Sequence, residues 1–397
     1  MPKAPSGFGA VELFQLLRDG HPRTRAELAS MTGISRSTIG LRVDALLESG
    51  LVLPLADGIS TGGRPSALVV MNPNARLVAA ADLGATHATV AITDLAGNIL
   101  VQDRSTITID SGPEVVLGYL TRAIGALLEQ VDRGRGNLVA IGIGLPGPVE
   151  HSSGIPVKPP LMQGWDGFDV PEFVRRSYDV PVLVDNDVNI MALGERSLNW
   201  PDVSHFIFLK VATGIGSGII SGGVLQRGSD GVAGDVGHIP VSRGAGVVCH
   251  CGNTGCLEAV ASGPAIAAAL RAKGLDAQTG ADVVSLVADG DLDAIRTIRQ
   301  AGRDIGEMLN MCVNIINPQV IVIGGSISQA GEHLIAGIRE VVYSRAMPLA
   351  TQHLTIAQSR SGPESAIIGA SSMAVEYALL PENIDRLVGA SQQSRSA

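Results

Sequence analysis

The stretch that decides the fold is GDVGHIPVSRGAGVVCHCGNTGCLE, residues 234–258. It carries His238 near its start and then sets Cys249, Cys251 and Cys256 within eight residues, three of the four cysteines in a chain of 397. Three thiolates and one imidazole are the ligand set of a closed, tetrahedral structural zinc site. Gly252 and Gly255 permit the tight turns that aim several side chains at one point. A disulfide is the competing reading. Cys249 and Cys251 are too close to bridge comfortably, and three cysteines leave one over, so zinc is the expectation. His250 is a spare candidate ligand, disfavoured against His238 because it sits between two cysteines that already face the metal.

A GExGH-like box, here Gly234 to His238, followed by CxCGxxGCLE from Cys249 to Glu258, resembles the ROK family. That family holds repressors, open reading frames of unknown role and sugar kinases. In it the zinc-held loop places a histidine and a glutamate against a bound sugar. The resemblance therefore implies that Asp235, His238 and Glu258 border a sugar pocket. Asp235 is one methylene shorter than the glutamate the pattern usually has.

Composition sets the outer bounds. The length suits two or three domains, and 45% apolar residues with 49 glycines describe a globular chain with many tight turns. Aromatics are only 3%, so the cores must rest on Val, Ile, Leu and Ala. No apolar leader and no run of eighteen apolar residues is present, so a soluble, cytoplasmic protein with reduced cysteines is expected. Cys312 stands alone in an apolar helical stretch and reads as core. Residues 1–66 carry seven Lys/Arg against six Asp/Glu, net +1, while the rest carries 22 against 32, net −10. A near-neutral, arginine-dotted head on an acidic body suits DNA contact by one end only.

That head reads as three helices. Residues 10–19 put Val11, Phe14 and Leu17 on one face, with Gly20 as the stop. Thr24 and Glu27 form a capping box for a second helix ended by Gly33. Ser35 caps a third helix, with Ile34 and Ile39 as a staple and Ile39, Val43, Leu46 and Leu47 as its buried stripe. Two helices across a short Gly-containing turn make a helix-turn-helix, whose second helix would carry Arg36, Ser37, Thr38 and Arg42 toward DNA. Leu51–Leu53 with Asp57-Gly58 read as a small wing hairpin. A three-helix bundle with no nucleic-acid role is the bland alternative. Two caps, a wing and the charge shift together favour operator DNA. Thr61–Pro65 reads as a linker, and its Arg64 is placed to enter a minor groove.

From about residue 68 short strands alternate with helices: 77–83, 88–94, 99–107, 138–145, 182–184, 205–211 and 320–323. The pattern matches an α/β, actin-like ATPase body of two lobes below a winged helix-turn-helix, and the resemblance implies the same. Expected boundaries are 1–60 for the head, 61–67 for the linker, 68–187 plus 364–380 for the first lobe, 188–363 for the second with its zinc loop, and a tail at 381–397. Strand 182–184 delivers Asn186 and Asp187 at its carboxyl end, where open α/β sheets bind ligands. Both can bind sugar hydroxyls, and the resemblance makes Asp187 the base of a sugar kinase. Alternatively Asp187 caps the helix that follows.

Three glycine turns at strand ends, Asp82-Leu83-Gly84-Ala85-Thr86, Thr213-Gly214-Ile215-Gly216 and Gly324-Gly325-Ser326, are the expected nucleotide contacts. Ala85, Ala212 and Ser326 stand where the kinase pattern prefers glycine, and each takes up room beside a phosphate. Asp82, Thr86, Thr213 and Asp187 remain. The expectation is a sugar-responsive transcriptional regulator, homodimer or dimer of dimers, of the branch that includes the N-acetylglucosamine and xylose repressors. The alternatives are an ATP- and Mg-dependent sugar kinase that keeps a DNA-binding head, and a metal- or redox-responsive regulator using the thiolates themselves.

Overall fold

The computed structural model describes residues 9–55, 67–131, 135–160 and 162–386. The head begins with α1 (Ala10–Leu17), β1 (Arg23–Thr24), α2 (Arg25–Thr32) and α3 (Arg36–Glu48), then β2 (Val52–Leu55) and β3 (Leu68–Met71). Its helices start where capping chemistry dictates. The Thr24 hydroxyl accepts from Glu27 N at 3.1 Å and the Glu27 carboxylate accepts from Thr24 N at 2.7 Å, so two end donors are satisfied reciprocally. Gly33 ends α2 at φ +71°. Thr24→Ala is expected to cost about 1 kcal/mol, read as a lower melting midpoint of the head's helical signal.

Two expectations about the head change. The wing is not a tight hairpin after residue 53: β2 pairs with β3, in the sheet order β1-β3-β2. Asp57-Gly58 and Arg64 lie outside the described residues. β3, expected to open the first lobe at residue 68, is instead the middle strand of the head. Its alternate residues Val69 and Met71 fill the head's core with Phe14, Leu17, Ile39 and Leu46, and an alternating strand buries one face wherever that face finds apolar partners.

The first lobe contains β4 (Leu77–Leu83), β5 (Ala88–Asp94), β6 (Ile99–Ser105), α4 (Pro113–Gln130), β7 (Leu138–Leu145), a short hairpin of β8 (Val149–Glu150) and β9 (Ile155–Pro156), α5 (Val170–Arg175) and β10 (Val182–Asn186). The second comprises α6 (Asp187–Asn199), β11 (Phe206–Val211), β12 (Ile215–Ser221), β13 (Val224–Gln226), α7 (Glu258–Ala261), α8 (Gly263–Arg271), α9 (Gly280–Ala288), α10 (Leu292–Ile316), β14 (Val320–Gly324), α11 (Glu332–Arg345), α12 (Pro348–Thr351) and β15 (Thr355–Gln358). The last helix, α13 (Glu364–Ala378), returns to the first lobe.

Both lobes build the same five-stranded sheet. The first runs β10-β7-β4-β5-β6 and the second, read from its parallel edge, β15-β14-β11-β12-β13. In each, an antiparallel meander of three strands is extended by two parallel ones. Strands β13 and β15 go beyond the sequence expectation, and β12, expected to start only at Ile219, already starts at Ile215, because glycines and polar residues break the apolar runs that mark β4, β7 and β14.

Helix α6 lies between the sheets. Its Val188 and Ala192 pack on β11 and β12, while Ile190 packs with Ala80 and with Ala366 and Ala370 of α13. Far along α13, Val375, Ala378 and Leu379 join the core of the head. There Gln15 Nε2 donates to Leu379 O at 2.8 Å and Arg18 pairs with Glu376. A cavity of about 570 Å³ remains along this seam.

Candidate functional site

Strand β10 ends in Asp185-Asn186-Asp187, and the three side chains have three different tasks. Asn186, not Asp187, caps α6: its Oδ1 accepts from Val188 N at 2.9 Å while its Nδ2 donates to Gly147 O at 3.0 Å. Asp187 is therefore free of the capping duty. Its carboxylate is buried and pairs with Lys210 Nζ at 2.5 Å. Burial works against the ammonium of Lys210, but Asp187 and, beyond it, Asp82 outweigh that, so its pKa stays above the usual lysine value. Asp185 is buried as well and accepts from Arg227 Nε at 2.7 Å and from Asn189 Nδ2 at 2.7 Å. Lys210 and Arg227 both reach from the second lobe to the last residues of β10 and the first of α6. Sequence reasoning missed both.

The β11–β12 hairpin is the floor on which the other expected residues meet. Lys210 stands opposite Gly216 across the ladder. Glu258 Oε2 accepts from Ile215 N at 2.9 Å, and a Cβ on Gly214 would come within 2.7 Å of that oxygen. The Gly234–His238 box lies along the same strand, with Ser217 N donating to Gly234 O at 2.8 Å. Asp235 is half-exposed, its Oδ1 3.9 Å from His238 Nε2. Asp187, through Lys210, and Glu258 are thus tied to one hairpin, along which the loop that carries Asp235 and His238 also runs.

The glycine turns are more crowded than a phosphate loop requires. Gly216 and Gly324 lie inside β12 and β14, not in turns, and a Cβ there would sit 3.2 Å from Val188 and 2.2 Å from the Phe208 ring respectively. A Cβ on Gly325 would be 2.4 Å from Val211 O, and one on Gly84 2.4 Å from the His87 ring. His87, another residue missed, sets its Nε2 3.1 Å from Asp82 Oδ2. Thr86 and Thr213 are exposed.

The His/Cys quartet assembles. Ligand atoms of His238, Cys249, Cys251 and Cys256 all lie within 4.8 Å of one another, with His238 Nδ1 3.7 Å from Cys249 Sγ and the sulfurs of Cys251 and Cys256 3.7 Å apart. None of the cysteines is in a disulfide. His250 is exposed and outside the group. Burial and the neighbouring Cys251 and Cys249 push the Cys256 thiol up to about 12. Thiols so close ionise together only when a cation shares them, so the donor set fits a soft, tetrahedral metal. The loop is braced from α10 by Arg243 Nε to Asp304 Oδ2 at 2.7 Å and by Ser242 N to Glu307 Oε2 at 3.0 Å. Nδ1 of His238 faces Cys249 Sγ, and its Nε2 lies on the side of Asp235, 3.9 Å from Oδ1.

The ROK family profile matches residues 78–377. The chain belongs to the ROK family. The xylose repressor of Bacillus spizizenii is 29% identical over 359 residues, which cover 90% of this chain and 92% of that one. The crystal structure of a ROK family transcriptional regulator, a homologue of the E. coli MLC protein, is similar at a TM-score of 0.82 and 27% identity, covering 96% of this chain and 98% of its own. A ROK family glucokinase from Streptomyces griseus, solved with glucose and AMPPNP, is similar at a TM-score of 0.65 and 26% identity, but covers only 76% of this chain. The ROK match begins downstream of the head, and it is the regulator, not the kinase, that is similar over nearly the whole chain.

In this ROK chain the start of α3, capped by Ser35, faces outward only in part. Arg36 and Ser37 are exposed, while Thr38 turns its hydroxyl to Ser35 in the cap at 2.8 Å. Arg42 is partly buried one turn on. Leu41, 74% exposed on the same helix, was not expected. No helix among the described residues is long and apolar enough to cross a membrane.

Proposed function

We propose that the protein is a sugar-responsive transcriptional repressor whose body binds a sugar between its lobes and whose head binds operator DNA as a dimer. The observation that carries this reading is the pairing of a capped, outward-facing α3 with a strand-end site that keeps Asp187, Glu258 and His238 but commits Asp187 to Lys210. Hydroxyls both donate and accept, and this site offers carboxylate acceptors beside an ammonium donor. Zinc at His238, Cys249, Cys251 and Cys256 would hold the loop that carries His238 and leads into Glu258, so those groups are positioned before the sugar arrives.

The same ion pair argues against the kinase reading. A general base must face the hydroxyl whose proton it takes, and the Asp187 carboxylate is instead in contact with Lys210 Nζ. Asp82, Thr86, Thr213 and the glycines of the three turns would then contact no nucleotide, and ATP and Mg would have no role.

Helix α6 starts at the ligand-binding Asp187 and packs along its length on α13, whose far end holds the head. Sugar binding that shifts lobe closure would move this helix pair and so change the spacing of two heads on their half-sites. Asp187→Ala is expected to abolish the effect of sugar on operator binding in a gel-shift titration, while binding without sugar stays within about twofold of wild type. A sugar response that persists in this variant would place the ligand elsewhere.

A further inference from the structure

We infer that Glu195, a buried carboxylate outside the ligand site, is the clasp that passes lobe movement into α13 and so to the head. This deepens the sugar-responsive reading above, on which it rests. The chain passes between the two lobe sheets twice: from β10 through α6 to β11, and from β15 through residues 359–363 to α13. Glu195 stands on α6 with 0% of its surface exposed, at the point where the two crossings meet.

Four donors converge on its carboxylate. Oε2 accepts from Ser359 Oγ at 2.6 Å and from Ser361 N at 3.3 Å, while Oε1 accepts from Arg360 N at 3.3 Å and from Asn199 Nδ2 at 3.1 Å. Asn199 Nδ2 also donates to Ser361 Oγ at 2.6 Å. Three of the four donors thus belong to the short link between β15 and α13. The buried carboxylates of Asp185, Asp187 and Asp304 each take a cation, from Arg227, Lys210 and Arg243. Near Glu195 the arginines are turned elsewhere. Arg196 Nε donates to Val203 O at 2.7 Å, and the Arg360 guanidinium lies 5.9 Å from the centre of the Trp200 ring. A carboxylate kept out of water by hydrogen bonds alone is costly to unpair, so the link follows α6 when α6 moves.

Without the clasp the link is soft. Ser359-Arg360-Ser361-Gly362-Pro363 is outside any helix or strand, and Gly362 sits at φ +54°, a conformation glycine enters without steric cost. Such a segment absorbs backbone rotation and would let the second lobe move without turning α13. Asp187 opens α6, and Glu195 lies eight residues further along the same helix, about 12 Å at 1.5 Å per residue. One rigid helix therefore joins the ligand end of the cleft to the root of α13.

The test uses the full-length protein and separates ligand affinity from response. Calorimetry with D-glucose, D-xylose, D-mannose and N-acetyl-D-glucosamine gives the sugar affinity. Gel-shift titration on a duplex that wild type itself selects from random sequence gives operator affinity, with and without the sugar that binds. Wild type is expected to shift its operator affinity by about tenfold or more at saturating sugar. In Glu195→Gln the side-chain shape is kept, but an amide NH2 now faces backbone N–H donors and the clasp opens. Sugar affinity should stay within about threefold of wild type, while the sugar-induced shift falls below about twofold. Ser359→Ala removes the shortest of the four bonds, leaves the charge, and should give an intermediate shift.

A Glu195→Gln protein that binds sugar and shifts its operator affinity as wild type does overturns the inference and leaves the sugar-responsive reading standing. A variant whose sugar affinity falls in step with its response also overturns it, since Glu195 would then only support the site. If wild type binds none of the sugars, or binds one without any shift, the sugar-responsive reading falls and the clasp with it. Should Glu195→Gln not fold, Ser359→Ala decides the matter: a shift equal to that of wild type overturns the inference.

Discussion

Alanine at Gly369 is expected to destabilise the body by about 3 kcal/mol or more, although it lies within a helix. Two effects oppose each other. In an exposed helix, Gly→Ala gains about 1 kcal/mol of propensity. Here, however, an added Cβ on Gly369 would lie 1.7 Å from Ile190 O of α6, and one on Gly194 would lie 1.8 Å from Ser365 O of α13. These neighbours are backbone carbonyls, which cannot rotate away as a side chain does. The helices would have to separate along a contact that also buries Ile190, Ala366, Ile367 and Ala370, and a packed interior resists that. The clash outweighs the propensity gain. Thermal denaturation of Gly369→Ala should show a midpoint several degrees lower, together with a weaker sugar response, since α6 and α13 join Asp187 to the head. An unchanged midpoint would mean that the helices are not locked as described.

The second large effect is at the His/Cys quartet. Cys256→Ser, or prolonged chelation, is expected to release residues 238–258 and abolish the sugar response. Metal held by such a quartet contributes on the order of 10 kcal/mol to isolated small domains. In this chain part of the loop has other restraints, among them Val241 N to Gly255 O at 3.0 Å, Leu257 N to Ile239 O at 2.9 Å, and the Arg243–Asp304 pair. The loss should therefore be local. Hydrogen exchange should rise within 238–258 and stay near wild type in α4, β7 and the head. The decisive control is metal content: purified wild type without about one equivalent of zinc per chain, and with unaltered exchange after chelation, would remove the metal from the account.

Legibility from sequence followed distance along the chain. Thr24, Glu27, Gly33 and Ser35 announced their helix ends because capping involves residues three or four apart. The quartet was readable because its cysteines fall within one short loop. Lys210 did leave a trace: a lysine in the apolar run Phe206-Ile207-Phe208-Leu209-Lys210-Val211 is out of place unless paired. Nothing local named its partner. Asp187 and Lys210 are 23 positions apart and Asp185 and Arg227 are 42 apart, in different lobes. Which turn glycines serve packing was equally hidden, since Gly216 and Gly324 show their neighbours only once β12 and β14 are in place.

The amino-acid order alone marked the capped helices of the head, the apolar strands β4, β7 and β14, the His/Cys quartet and the family. Each depends on neighbours a few residues away or on a motif contiguous in the chain. Tertiary structure alone assigned β3 to the head, gave the capping role to Asn186, turned Asp187 toward Lys210, and pressed Gly194 and Gly369 against opposing backbone. Those outcomes rest on burial and charge pairing between distant segments, whose energies exist only after the lobes have brought the groups out of water together.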